Sequence, residues 1–484
     1  MQKVIYFNLL GDFRHKFANS SQLQKGAVRR GKGSKVCLSV ALAAGLGWAT
    51  PAVSEDAVDG IPSPSIATSL PAIGGPSGAR KRLSEQGITY GLTYTGEVLG
   101  NVSGGVRRGG IYEGKFEASL NADLDKLAGW KGLSFFVNGF QIHRTGGLRD
   151  DFFESLITIS NIEAVPSTRL SELWLEQKLF DDAFSIRAGQ ITADGEFFVS
   201  EYSKLFISND WPTILGGNLP SGGPAYPLST PGVRLKFDPD AHWSLLVALF
   251  NGNPGDQATA NRTGTNFRVN DPPLVMAELQ YRYNQDKDST GLAGIVRVGG
   301  WYHFGEFDDQ RFDGLGMSLA SPWSSGIARQ FRSTGGVYGI FDQQIYRPQG
   351  GDADSGISVF GRIAGTQSDR NLVDLFFDTG IVFSGMLPGR PDDKFGASLI
   401  YARMSDQASS LDRDAIAFSG SIQPVRDYEM LIEVSYQAQI VPGWTVQPVF
   451  QYVVNPGGNV PDAAVPSRAV RSGALFGVRS TIAY

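Results

Sequence analysis

The chain has 484 residues, of which 42% are hydrophobic and 19% charged, with a formal charge of -5 and a single cysteine. The acidic balance argues against a nucleic-acid partner, and one cysteine excludes a disulfide framework. After residue 50 no run approaches the roughly 20 apolar residues of a spanning helix, so a membrane crossing would have to be made with strands.

The first element is a leader. Lys25, Arg29, Arg30, Lys32 and Lys35 precede the uncharged run VCLSVALAAGLGWA (36–49) and the small residues of TPAVS, which is the order of a secretory signal, with cleavage placed after Ala52. Cys37 opens the apolar core instead of following it, which argues against lipidation. Removal of residues 1–52 takes away eight basic residues and one acidic residue, moves the charge to -12 and leaves no thiol. Residues 53–78, rich in Pro, Ser and Gly, read as a linker. ARKRLSEQ (79–86) reads as two helical turns stopped by Gly87.

From Gly87 onward one pattern repeats: about nine to thirteen residues alternating between apolar and polar, then a turn or loop with Gly, Pro, Asp or Asn. The runs predict strands at 87–99, 111–124, 131–143, 170–180, 184–190, 230–238, 242–250, 274–284, 291–303, 335–346, 356–366, 370–384, 395–404, 425–440, 444–454 and 472–484. Sixteen is an even number, and short links such as DDA (181–183), DPDA (238–241) and VPG (441–443) contrast with the long stretches 144–169, 191–229, 304–334 and 405–424. That rhythm predicts an all-β fold, a transmembrane antiparallel barrel with short periplasmic turns and long extracellular loops over residues 87–484. Sixteen strands enclose more space than side chains fill, so polar residues should line a wet lumen and apolar ones should meet lipid.

YEMLIEVSYQAQI (428–440) illustrates the expectation. Tyr428, Met430, Ile432, Val434 and Tyr436 would face lipid, Glu429, Glu433, Gln437 and Gln439 would line the pore, and Leu431 breaks the pattern. The closing ALFGVRSTIAY places Phe476, Val478 and Ile482 on one face, with Ser480 as its lapse. It finishes on the aromatic Tyr484, as do the strands by which barrel-assembly machinery recognises outer-membrane proteins.

No catalytic constellation surrounds His15, His143, His242 or His303, which lie far apart without a metal or nucleophile motif. The chain is therefore read as a non-enzyme without cofactor or metal. The inward faces do hold usable chemistry. Glu172, Trp174, Glu176 and Lys178 on one strand, with Arg187 on the next, mix aromatic, acidic and basic groups. Such a wall suits neutral polyhydroxylated solutes better than anions, which favour a nearly pure basic lining.

The segments LSEQGITYGLTYTGEVLGNVSGGVRRGG (83–110), LSELWLEQKLFDDAFSIRAGQITADGEFF (170–198), FNGNPGDQ (250–257) and WTVQPVFQYVVNPGG (444–458) resemble the carbohydrate-selective porins of the OprB family. The resemblance implies a bacterial outer-membrane channel for mono- and disaccharides, glucose first among them. It also implies long loops folded inward and a constriction of arginines and acidic residues. Arg187, Glu172, Glu176, Asp194 and Glu196 are placed there with Trp174 nearby, and Arg107 and Arg108 at the first rim. The long leader and the terminal Tyr, where such barrels usually end in Phe, depart from the family pattern. A general or anion-type porin and a barrel-borne hydrolase are the rival readings, and both a monomer and a homotrimer fit.

Overall fold

The computed structural model describes residues 61, 64–69, 78–209, 211–286 and 289–484, so the leader 1–52 and most of the linker lie outside the described residues. Within the linker, Ile66–Ser69 forms a helical turn instead of unstructured chain. Ser65 Oγ donates to the Ala483 carbonyl at 3.4 Å and Ser69 Oγ to the Pro442 carbonyl at 3.3 Å, which fastens this stretch to one rim. The expected helix follows at Ala79–Glu85.

The strands are β1 (Ile88–Asn101), β2 (Gly109–Asp123), β3 (Leu133–Arg144), β4 (Ser167–Leu179), β5 (Phe184–Ile191), β6 (Thr230–Phe237), β7 (Trp243–Asn251), β8 (Pro273–Tyr283), β9 (Gly294–His303), β10 (Phe307–Asp313), β11 (Ala328–Phe331), β12 (Thr334–Tyr346), β13 (Gly356–Thr366), β14 (Val373–Ser384), β15 (Lys394–Met404), β16 (Tyr428–Val441), β17 (Trp444–Val454), β18 (Pro461–Asp462), β19 (Val465–Ala469) and β20 (Gly473–Ala483). Sixteen of them close a barrel in chain order, with β20 returning to pair antiparallel with β1, while β10–β11 and β18–β19 are small hairpins within the loops. Every predicted run corresponds to one barrel strand. The Arg80 guanidinium lies 4.5 Å from the Tyr90 ring and 4.8 Å from the Tyr484 ring, beside the β1–β20 seam. Tyr484 and Leu92 also exchange backbone hydrogen bonds, which extends the pairing of that seam by one residue.

Alternation gives the wall two faces. Val98, Val298 and Val337 stand more than 60% exposed on the outside, the behaviour of a belt made for hydrocarbon. Ser480, the lapse in the last strand, receives the Trp444 indole N–H at 3.4 Å. The predicted long loop after β15 contains a helix, Asp406–Ser419. Ser405 caps it by accepting the Ala408 N–H at 3.2 Å, and Gly420 ends it with φ 67°.

The lumen differs from the wet tube expected of strict alternation. Loops 145–166 and 192–229 fold into it, and their Leu148, Phe153, Ile157, Ile207 and Ile214 join Leu246, Phe250, Met276, Phe376 and Leu431 of the wall in one apolar cluster. Leu431, fully buried, faces inward in register with its neighbours because loops, not water, lie opposite it. Glu429 and Glu433 likewise do not line open pore. Glu429 accepts the N–H groups of Leu156 (2.8 Å), Ile157 (3.3 Å) and Gly457 (2.8 Å) and the Ser155 hydroxyl. Glu433 accepts those of Ile207 (2.8 Å) and Ser208 (2.9 Å).

Each loop N–H that loses such a partner costs about 1–3 kcal/mol. Glu433→Gln, which keeps the size but replaces one acceptor with a donor, should lower the thermal unfolding temperature of the detergent-solubilised barrel and make its single-channel current noisier. Unchanged melting and current would contradict this account of the loop.

Candidate functional site

The wall between β4 and β6 is where the sequence placed most of its candidate residues. On β4, Glu172, Trp174 and Glu176 point inward while Leu175 and Leu179 are exposed outside. Cross-strand register sets Glu176 opposite Arg187 of β5 and Arg187 opposite Arg234 of β6. Two guanidiniums side by side would repel, and carboxylates separate them. Arg187 Nη2 lies 3.0 Å from Glu176 Oε2 and its Nη1 3.5 Å from Glu196 Oε2. Arg234 reaches Glu176 Oε1 with Nη2 and Glu196 Oε2 with Nε, both at 2.8 Å, and donates from Nη1 to Ser185 Oγ at 2.6 Å. The result is a ring of two cations and two anions, three from the wall and Glu196 from loop 192–229.

Trp174 supports the ring from behind. Its indole stacks on Phe136 at 4.9 Å between centroids, and the Arg187 guanidinium lies 4.0 Å from its centre. Two flat partners this close require opposite faces of the indole, so Trp174 holds Arg187 in place and offers no free face to a sugar. Gly189 of β5 sits opposite Trp174 with φ 148°, and a Cβ there would come 2.2 Å from the Leu173 carbonyl oxygen, so only glycine permits the approach.

Glu172 borders the ring: its N–H donates to Asn138 Oδ1 at 2.7 Å and its carboxylate accepts the Thr192 N–H at 3.5 Å. Asp194 accepts the Tyr226 N–H at 2.7 Å, and burial pushes its carboxyl above the usual carboxylate range. Burial would raise Glu196 too, but the neighbouring Arg187 and Arg234 outweigh it and hold its carboxyl below that range. The buried atoms Trp174 Nε1, Arg187 Nε, Gln190 Oε1, Asp194 Oδ1 and Thr230 Oγ1 have no hydrogen-bond partner among the described residues.

Arg107 and Arg108 are elsewhere. Arg107 donates from Nε to the Asp151 carbonyl at 3.1 Å and lies 4.2 Å from the Phe152 ring, tying loop 102–108 to loop 145–166, and Arg108 is exposed beside it. Sequence reasoning missed Arg234. The signal was present in TPGVRLKF, where Val233, Leu235 and Phe237 alternate outward around Arg234. His303 is buried, with Nε2 3.0 Å from the Gly252 carbonyl and Nδ1 accepting the Gly305 N–H at 2.9 Å. Among the described residues no group of three or more His, Cys, Asp or Glu could hold a metal ion.

A family model described as carbohydrate-selective porin, OprB family, matches residues 107–484. Porin B of Pseudomonas aeruginosa is 26% identical over 363 residues, which span 70% of this chain and 76% of that protein. The high-pH structure of Pseudomonas putida OprB matches with a TM-score of 0.73 at 22% identity, covering 84% of this chain and 97% of that one. The low-pH structure of the same protein matches with a TM-score of 0.50 at 18% identity over 85% and 97%. These structural likenesses concern the fold.

Removing one member of a buried ion network leaves its partners charged and unpaired, at a cost of about 3–5 kcal/mol. Arg234→Met should therefore destabilise the folded barrel by about that much in a denaturant titration. The double variant Arg234→Met/Glu196→Gln should recover part of the loss, whereas simple additivity of the two changes would show that the ring is not coupled.

Proposed function

Since this chain belongs to the OprB family of carbohydrate-selective porins, we propose that the Arg187–Glu176–Arg234–Glu196 ring, with Glu172 and Asp194, is the selective contact of its channel. The protein is a sugar-selective porin of the Gram-negative outer membrane. The finer reading concerns what passes and how. Mono- and disaccharides, with glucose foremost, diffuse down their gradient past the ring without a catalytic step.

One observation carries this reading: the ring on the inner wall is balanced in charge, each guanidinium lying between two carboxylates. A sugar hydroxyl donates and accepts at once, so a neutral polyol can bond to a wall of mixed donors and acceptors without bringing a charge into it. An anion finds both guanidiniums already engaged by carboxylates, and a cation finds both carboxylates engaged by guanidiniums. Contacts of this kind favour entry while remaining weak enough for exit, which conduction requires. In the same reading, residues 1–52 are the signal removed on export. The apolar belt faces lipid, and Tyr484 is the aromatic read by the assembly machinery.

Swelling of liposomes carrying the protein should be faster in glucose than in sucrose, and faster in either than in a size-matched amino acid. Equal rates for the three solutes would remove selectivity from the reading. Arg187→Ala should change the glucose rate by about tenfold, the weight of one charge-assisted contact of about 1.4 kcal/mol. An unchanged rate would place Arg187 outside the path.

A further inference from the structure

Beneath loop 145–166 the wall carries a second row of charges that the sugar contact leaves unused. Arg479 of β20, Glu97 of β1, Glu113 of β2 and Arg144 of β3 are successive cross-strand partners at one level of the barrel. Simple neighbour pairing would join Arg479 to Glu97 and Arg144 to Glu113. The first pair forms, and Arg479 also donates to Asn161 Oδ1 of the loop at 2.6 Å. The second does not. Arg144 Nη1 instead donates to Glu163 Oε1 of the loop at 3.1 Å. Glu113, only 2% exposed, is left with both carboxylate oxygens lacking a hydrogen-bond partner among the described residues.

A buried carboxylate normally has a partner, and the side chain that register assigns to Glu113 is the one taken by the loop. We propose that Arg144 is the latch of a gate. Its guanidinium exchanges between Glu163, which through it holds the arm 145–147 against the wall, and Glu113, which receives it when that arm moves off. Each position satisfies the guanidinium, so the arm has two arrangements rather than one. The Arg149 N–H, which donates to Glu163 Oε2 at 3.3 Å, keeps Glu163 in position when the arm moves. The rest of the loop stays in place through buried Leu148, Phe152, Phe153, Ile157 and Ile162 and through Glu429, which confines the motion to the mouth of the lumen.

Gly146 and Gly147 belong to this arm. A Cβ on Gly147 would lie 2.7 Å from both Arg144 Nη1 and Glu163 Oε1, so Gly147→Ala should break the closed pair without touching a charge.

The test is single-channel recording of the full chain in planar bilayers, with closure of the barrel in every variant checked by heat-modifiable gel migration. The unmutated channel is expected to show two conductance levels. Glu163→Gln and Gly147→Ala should each raise the time ratio of the higher to the lower level by about tenfold, and Glu113→Gln should lower it by a similar factor. A merely structural role for these residues would move all three variants in the same direction. The latch is overturned if the unmutated channel shows a single level, if Glu113→Gln and Glu163→Gln shift the ratio the same way, or if neither shifts it. The proposal rests on the channel reading, and the swelling measurement on unmutated protein separates a failure of that reading from a failure of the latch.

Discussion

Everything in this structure depends on how a loop can be placed inside a barrel. The backbone of loops 145–166 and 192–229 brings N–H and C=O groups into a packed interior, where an unpaired peptide group costs about as much as a lost hydrogen bond. The wall answers with side chains. Glu278 accepts the Phe198 N–H at 2.9 Å, Asp342 that of Glu201 at 3.0 Å, and Gln447 donates to the Leu205 carbonyl at 2.7 Å. Carboxylates that alternation alone assigns to a water-filled pore serve instead as acceptors for loop backbone.

Those acceptors bring negative charge inside, and the arginines are placed to balance it. Arg297 joins Asp342 at 2.7 Å and Glu201 at 3.0 Å, and Arg362 binds Asp378 while donating to the Phe198 carbonyl at 3.0 Å. The ring of Arg187, Glu176, Arg234 and Glu196 follows the same rule. Seating a loop and contacting a solute thus use one kind of chemistry.

The barrel was legible in the sequence because strand alternation is local: each run carries its own apolar and polar faces, so sixteen strands and both kinds of connection could be read without knowing what packed where. Glu176, Arg187 and Glu196, which the structure brings together, were legible for the same reason with the help of the family resemblance. The contents of the lumen were not. Leu431 looked like an error in a strand, and nothing local to it says that loops 145–166 and 192–229, more than two hundred residues earlier, share its apolar cluster. The role of Trp174 was hidden in the same way, because an inward aromatic reads as a platform until Phe136 and Arg187 are seen against it. The helix Asp406–Ser419 escaped notice because only Ala408, Ser409 and Leu411 of it are buried, too few to set up a helical period.

Loop 192–229 has one more property, which is mechanical. Starting at β5 and ending at β6, it is fixed to β8 through Glu278, to β12 through Asp342, to β13 through Arg362, to β16 through Glu433 and to β17 through Gln447. A cylinder one sheet thick flattens easily under uneven lateral pressure, and a strut tied to opposite sides resists flattening. The cross-section offered to a solute is then set by the length of this strut and not by the bilayer around it, so the same opening is kept in membranes of different thickness and tension.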